Sequence, residues 1–374
     1  MKSIATFFSA CLAIVALTGC ATVERTPSAA YTAAEVTRTM RKVADWQIAS
    51  WEKDGFKKPK YNWTYCAAYT GIFEAGRVSG DEKYFQFLRR IGDELGWKTG
   101  TRRHFADDYC IGQVYTLMYG RYKEARMIAP WRALADEIVA LPHTESLSLA
   151  TKDIMEREWA WCDALFMGPP SLAYLSDVTG ERKYLDKAMR LWAKTTAFLY
   201  SPENSLYFRD ESYFSQRERN GAQVFWSRGN GWVMGGLVRV LSVMPADHPE
   251  RLRLIGQYRA MAKKIAALQT ADGSWHASLL DPDSYPSRET SGTAFYTYAI
   301  LWGLNNQVLE HDTYWPVVDR AWRVLTDSVQ SDGKLGYVQP VGAAPAKVDR
   351  DSTETYGPGA FLLAGGQLVN YLNK

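Results

Sequence analysis

Three short stretches of the chain gather residues that could do chemistry together. His104-Phe-Ala-Asp-Asp-Tyr-Cys-Ile-Gly-Gln113 places two carboxylates side by side where a helix opens. Successive helical residues point about 100° apart, so only one of Asp107 and Asp108 can face a cavity well; the other is suited to capping the helix. Trp159-Ala-Trp-Cys-Asp163-Ala-Leu-Phe-Met-Gly-Pro-Pro170 sets a lone carboxyl among apolar neighbours. Desolvation there raises a carboxyl pKa and keeps a proton available for general-acid work. The competing structural role for Asp163 is a buried N-cap. Phe225-Trp-Ser-Arg-Gly-Asn-Gly-Trp232 carries Arg228 between two indoles, where its fork could grip a carboxylate or serve in a structural ion pair.

The chain holds 14 Trp and 22 Tyr, many of them near helix openings. Trp63, Tyr65, Tyr109, Trp159, Trp161, Trp226 and Trp232 would ring one cavity if those openings share a rim. Flat aromatic faces stack on sugar rings, while carboxylates and amides such as Asn230 bind hydroxyls, so an oligosaccharide is the expected partner. A formal net charge of +3 with no basic stripe argues against nucleic acid. Five scattered histidines and no Cys/His spacing of the zinc kind lead us to expect no metal and no cofactor. Cys66, Cys110 and Cys162 sit near successive helix openings and read best as small core residues, with a disulfide between two of them left open.

These motifs need a scaffold, and the chain repeats one. Six openings near Tyr61, Asp107, Trp161, Arg228, Thr290 and Thr355 lead into small-residue-rich apolar stretches. Between them lie six amphipathic segments: Thr32–Asp54, Asp81–Leu95, Met127–Leu141, Glu181–Tyr200, Pro249–Thr270 and Thr313–Gln330. The predicted class is all-α, an (α/α)6 barrel of six helical hairpins with its chemistry at one rim. An open helical solenoid is the alternative. Internal echoes support repetition: Gly80-Asp-Glu-Lys-Tyr84 matches Gly180-Glu-Arg-Lys-Tyr184, and Glu289-Thr-Ser-Gly292 matches Glu354-Thr-Tyr-Gly357. Glycine inside a helix costs about 1 kcal/mol relative to alanine, so its density in the inner stretches predicts close backbone approach. Thr32-Ala-Ala-Glu35 fits a capping box. Leu206-Tyr-Phe-Arg209 and Val224-Phe-Trp226 could pair as a short hairpin in the longest rim excursion.

The N-terminus has a separate logic. Met1-Lys2, an apolar run from Ile4 to Leu17, and Leu17-Thr-Gly-Cys20 read as a lipoprotein signal over residues 1–19. Cys20 would be acylated, residues 20–30 would form a tether, and residues 31–374 a single catalytic domain. With no aspartate after Cys20, the expected location is the periplasm or cell surface, anchored to a bacterial outer membrane. That anchor is the expected membrane contact.

The Trp-x-Arg-Gly-Asn-Gly-Trp run, the Trp-x-Asp-x-Leu-Phe-Met run and Ser291-Gly-Thr-Ala294 together resemble the unsaturated glucuronyl and rhamnogalacturonyl hydrolases, glycosyl hydrolase families 88 and 105, most closely the latter. The resemblance covers nearly the whole mature chain. It implies an (α/α)6 barrel that removes the terminal 4,5-unsaturated uronic acid left by polysaccharide lyases. It places the general acid on Asp163, a second carboxylate on Asp108, and substrate contacts on Arg228 and Trp232; Trp226, Asn230, Trp161, Tyr65 and Thr293 are further substrate-binding candidates. One departure stands out: many relatives carry a histidine where Leu206-Tyr-Phe-Arg209 has arginine. Arg209 is therefore expected to bind the uronate carboxylate or a nearby anionic group such as sulfate. Rival readings on the same barrel are an inverting glycosidase, a polysaccharide lyase and a non-catalytic glycan-binding lipoprotein.

Overall fold

The computed structural model describes residues 31–150 and 158–374. The signal, lipobox cysteine and tether read from the sequence lie outside the described residues. Thr32–Lys374 forms one compact unit.

Twelve α-helices of two or more turns stand among the described residues, in six hairpins. The outer set is α1 (Ala33–Asp54), α3 (Glu82–Glu94), α5 (Ala129–Ala140), α7 (Arg182–Leu199), α9 (Arg251–Ala267) and α11 (His311–Asp327). The inner set is α2 (Trp63–Ser79), α4 (Gly112–Tyr122), α6 (Ala164–Thr179), α8 (Ser227–Val243), α10 (Thr290–Asn305) and α12 (Tyr356–Leu372). Each inner helix packs on the next, and α12 packs back on α2, so the ring closes and the open solenoid is excluded.

Burial explains the division. On α3 only Tyr84, Phe85, Phe87, Leu88, Ile91 and Gly92 are buried, one stripe of an amphipathic surface. On α10 every residue from Thr290 to Leu304 is buried, because the helix has neighbours all round. Local signals act as expected. Thr32 and Glu35 form a reciprocal capping box, with the Thr32 hydroxyl accepting from Glu35 N at 3.2 Å. Gly80 (φ +68°) and Gly180 (φ +72°) end α2 and α6 in the left-handed conformation that glycine adopts without strain.

Close approach accounts for the inner glycines. A Cβ on Gly359 would lie 2.4 Å from the Ala67 carbonyl oxygen, and one on Gly236 would lie 2.1 Å from that of Leu165. The α2–α12 and α8–α6 backbones therefore touch directly. The rim hairpin differs from expectation. Tyr200–Ser201 (β1) pairs antiparallel with Leu206–Tyr207 (β2), a tight local turn, while Trp226 forms an isolated bridge with Ser278 instead.

Candidate active site

The N-terminal ends of the inner helices converge on one rim. Trp63 at the start of α2 stacks on Tyr356 at the start of α12, with ring centroids 5.6 Å apart and planes 12° from parallel. Trp232, fully buried on α8, meets Trp63, Phe166, Phe295 and Tyr356 and forms an aromatic floor.

Asp163 occupies the N-cap position of α6, yet its side chain caps nothing. The residue is only 8% exposed, in a stretch where Trp159, Trp161, Cys162 and Phe166 are all buried. Burial pushes its pKa up, and the Arg209 and Arg228 cations pull in the opposite direction. The Cys162 thiol lies 3.5 Å from Oδ2, and the Cys162 amide donates to the Arg209 carbonyl at 2.8 Å. That bond clips the acid-bearing turn to the rim strand.

The adjacent carboxylates of the first motif divide their work, in the opposite sense to the expectation. Asp108 is closed on Arg102: the Arg102 amide and Nε donate to its Oδ2 at 2.9 and 3.1 Å, and Nη2 donates to Oδ1 at 2.8 Å. The Gly100 amide also bonds the Asp108 carbonyl, so Asp108 fixes the loop entering the short 3-10 turn Ala106–Tyr109. Asp107 is the one turned to the acid. Its Oδ1 is buried with no hydrogen-bond partner. Burial first, and then the charge of Asp163, push its pKa up to about 8, against the pull of Arg209. The turn is pinned in place because Trp159 Nε1 donates to the Tyr109 hydroxyl at 2.8 Å and the Ser171 hydroxyl donates to the Tyr109 carbonyl at 3.0 Å.

Arg228 is fully buried, stacked over the Trp226 and Tyr356 rings at 4.3 and 4.7 Å. Its Nη1 and Nη2 donate to the carbonyls of Gln339 and Pro340 at 2.7 and 3.0 Å, and its Nε is buried without a partner. Among the described residues no carboxylate lies within ion-pair distance of it, so the structural salt bridge is not what holds it. Arg209 is pinned differently. Its Nη1 bonds Asp210 at 2.5 Å, its Nε lies 3.7 Å from Asp163 Oδ2, and Asp210 is held in turn by the Ser212 amide at 2.9 Å.

Other expected contacts belong to the scaffold. The Tyr65 ring packs edge-on to Trp51 of α1 and to Phe56, and its hydroxyl accepts from the Lys58 amide at 3.1 Å, so it faces the outer layer. The Thr293 hydroxyl donates to the Glu289 carbonyl at 2.7 Å and accepts from the Trp275 amide at 3.1 Å, and the residue is fully buried in the scaffold. The Asn230 amide pairs with the backbone of Tyr207, accepting at 2.8 Å and donating at 3.0 Å, and so braces β2. Trp161 stacks on Phe105 at 5.4 Å beside the acidic turn. Cys66, Cys110 and Cys162 are buried free thiols. Sequence reasoning missed Asp210, Tyr356 and Gln339. Tyr356 had a signal in the repeated Glu-Thr-x-Gly echo, whereas Gln339 lies in the uncharged stretch 335–346 with none.

A ring of six helical hairpins, with buried carboxylates and a caged cation at one mouth, defines a glycoside-processing barrel. Residues 38–372 match Glycosyl Hydrolase Family 88, and the chain belongs to that family as a glycoside hydrolase. It is 35% identical over 350 residues to the unsaturated 3S-rhamnoglycuronyl hydrolase of Formosa agariphila, spanning 90% of each chain. Among solved structures, a glycosyl hydrolase family 88 protein from Bacteroides vulgatus is 32% identical with a TM-score of 0.81, covering 91% of this chain and 100% of that one. A chain described as a polysaccharide lyase is also 32% identical with a TM-score of 0.81, covering 91% and 98% respectively.

Proposed function

We propose that the protein removes a terminal 4,5-unsaturated uronic acid from a lyase-generated oligosaccharide, with rhamnose or sulfated rhamnose as the aglycone. The observation that carries this is the pairing of a desolvated Asp163 with Asp107 beside a buried Arg228 that has no carboxylate partner among the described residues. The substrate is a vinyl ether. Asp163 delivers its proton to C4, and the positive charge that appears at C5 is stabilised by the ring oxygen. Water adds at C5 and returns its proton to the same carboxylate. The hemiketal so formed opens, and the glycosidic bond breaks without attack at the anomeric carbon. This differs from displacement between two carboxylates at the anomeric centre. Asp107 is the carboxyl coupled to Asp163: the charge of Asp163 helps hold the proton on Asp107, so the two acids share a proton rather than both ionise. Arg228 supplies the grip for the uronate carboxylate.

The sulfate reading is supported by the name of the Formosa agariphila relative and by Arg209, a second cation at the same mouth. Ulvan- or rhamnogalacturonan-type fragments are the corresponding substrates. The discriminating test is the ultraviolet chromophore of the conjugated uronate, followed across lyase-generated disaccharides. Hydration removes it. A lyase would instead create it from saturated polymer. We also propose export and lipid anchoring at Cys20 to a bacterial outer membrane. Metabolic labelling with a fatty acid checks this, since Cys20→Ser should abolish incorporation.

A further inference from the structure

Gln339 has no chemistry of its own, is 1% exposed, and lies in the excursion between α11 and α12, yet the openings of three inner helices meet on it. Its carbonyl accepts from Arg228 Nη1 of α8 at 2.7 Å and from the Tyr356 hydroxyl of α12 at 2.5 Å. Its amide donates to Oε1 of Glu289, the N-cap of α10, at 3.1 Å. Glu289 is fully buried and is itself fixed by the Ser291 and Gly292 amides at 3.0 and 2.7 Å. The Gln339 side chain completes the arrangement: Oε1 accepts from Trp226 Nε1 at 3.0 Å, and Nε2 donates to the Ala344 carbonyl at 2.7 Å. The first bond orients the indole beneath Arg228, and the second closes the loop whose carbonyls at 339 and 340 hold the guanidinium.

We propose that Gln339 is the positioning residue of the Arg228 clamp, setting both the direction of the guanidinium and the angle of the Trp226 face beneath it. Long cationic side chains lose much rotamer freedom when ordered, and a carboxylate is recognised bidentately only when the fork is already aimed. Carbonyl acceptors suit this task, because they orient the cation without neutralising it. The inference rests on Arg228 taking the substrate carboxylate, and its test separates the two ideas.

The probes are the unsaturated disaccharide and its uronate methyl ester, compared by kcat/KM for loss of the chromophore. The wild-type protein should prefer the free acid by on the order of tenfold to a hundredfold, as expected for a hydrogen-bonded charge pair. In Gln339→Met, which keeps the volume and removes both side-chain hydrogen bonds, that preference should shrink to about threefold or less, mainly through KM for the acid, with the ester little changed. Partial unfolding alone cannot produce this, since both substrates sample the same folded fraction. Trp226→Phe breaks the Oε1 bond from its other end while keeping a ring under the guanidinium, and it should move the ratio in the same direction if Gln339→Met does not fold. A wild-type protein indifferent to esterification removes the Arg228 reading and the proposal with it. An acid preference retained in full by both variants overturns the role of Gln339 alone.

Discussion

Nε of Arg209 lies 3.7 Å from Oδ2 of Asp163, while Nη1 of the same side chain is bonded to Asp210. A cation so close to a carboxyl opposes protonation, and Asp210 offsets part of its charge. The desolvated setting still prevails, for the Asp163 pKa is raised overall. Burial thus eases protonation of Asp163, and the neighbouring cations stabilise its anion once the proton has left.

Asp163→Asn should abolish turnover, by at least the hundred- to ten-thousand-fold that positioned proton transfer contributes. The substituted amide is nearly isosteric, so thermal melting and disaccharide binding should persist. Full activity in this variant, read by chromophore loss, would remove Asp163 from the mechanism.

Asp107→Asn and Asp108→Asn should fail in different ways. The first leaves Arg102 paired and should lower kcat by on the order of a hundredfold with little change in melting. The second removes the charge paired with Arg102 and replaces one of its two acceptor oxygens by an NH2 donor, and should cost about 1–3 kcal/mol of stability, read by denaturant unfolding. A reversed pattern would return the second-carboxylate role to Asp108.

The pH dependence follows from the raised carboxyls. Asp107 titrates near 8 in the folded protein against an ordinary 3.8, so the folded state holds a proton that the unfolded chain has released. The contribution of Asp107 to stability is therefore greatest near and below the ordinary value, falls as pH climbs from about 4 to about 8, and then levels. Activity should also decline on the alkaline side as the carboxyl pair loses its proton. Melting curves across this range should show a shallower slope in Asp107→Asn than in the wild type.

Arg209→Ala removes the stronger of the two cations that pull the Asp163 pKa down. The alkaline limb of the rate profile should then move to higher pH, and KM for anionic disaccharides should rise about tenfold, the loss of one charge-assisted contact. An unmoved profile with unchanged KM would reduce Arg209 to a scaffold residue.

Gly236→Ala places a methyl group 2.1 Å from the Leu165 carbonyl, between α8 and α6 and two residues from Asp163. Backbone cannot retreat as a side chain can, so about 1–3 kcal/mol of destabilisation is expected, as for other overpacked contacts. Equilibrium unfolding checks it.

The amino-acid sequence alone determined the hairpin repeat, the two layers and their caps, because these depend on neighbours within one or two helical turns. Period, capping box and terminal glycine are local signals, and each operates in the structure. It also marked Asp163 and Arg228, where rare residues stand in strongly apolar or aromatic company. The tertiary structure alone decided which of Asp107 and Asp108 meets the acid, since a 3-10 turn rather than an α-helical start fixes their directions and Arg102 claims one of them. It also turned Tyr65 toward α1, consumed the polar groups of Thr293 and Asn230 in the scaffold, and brought Gln339 under Arg228 from more than a hundred positions away. Such pairings depend on ring closure, which carries no signature in any single stretch of chain.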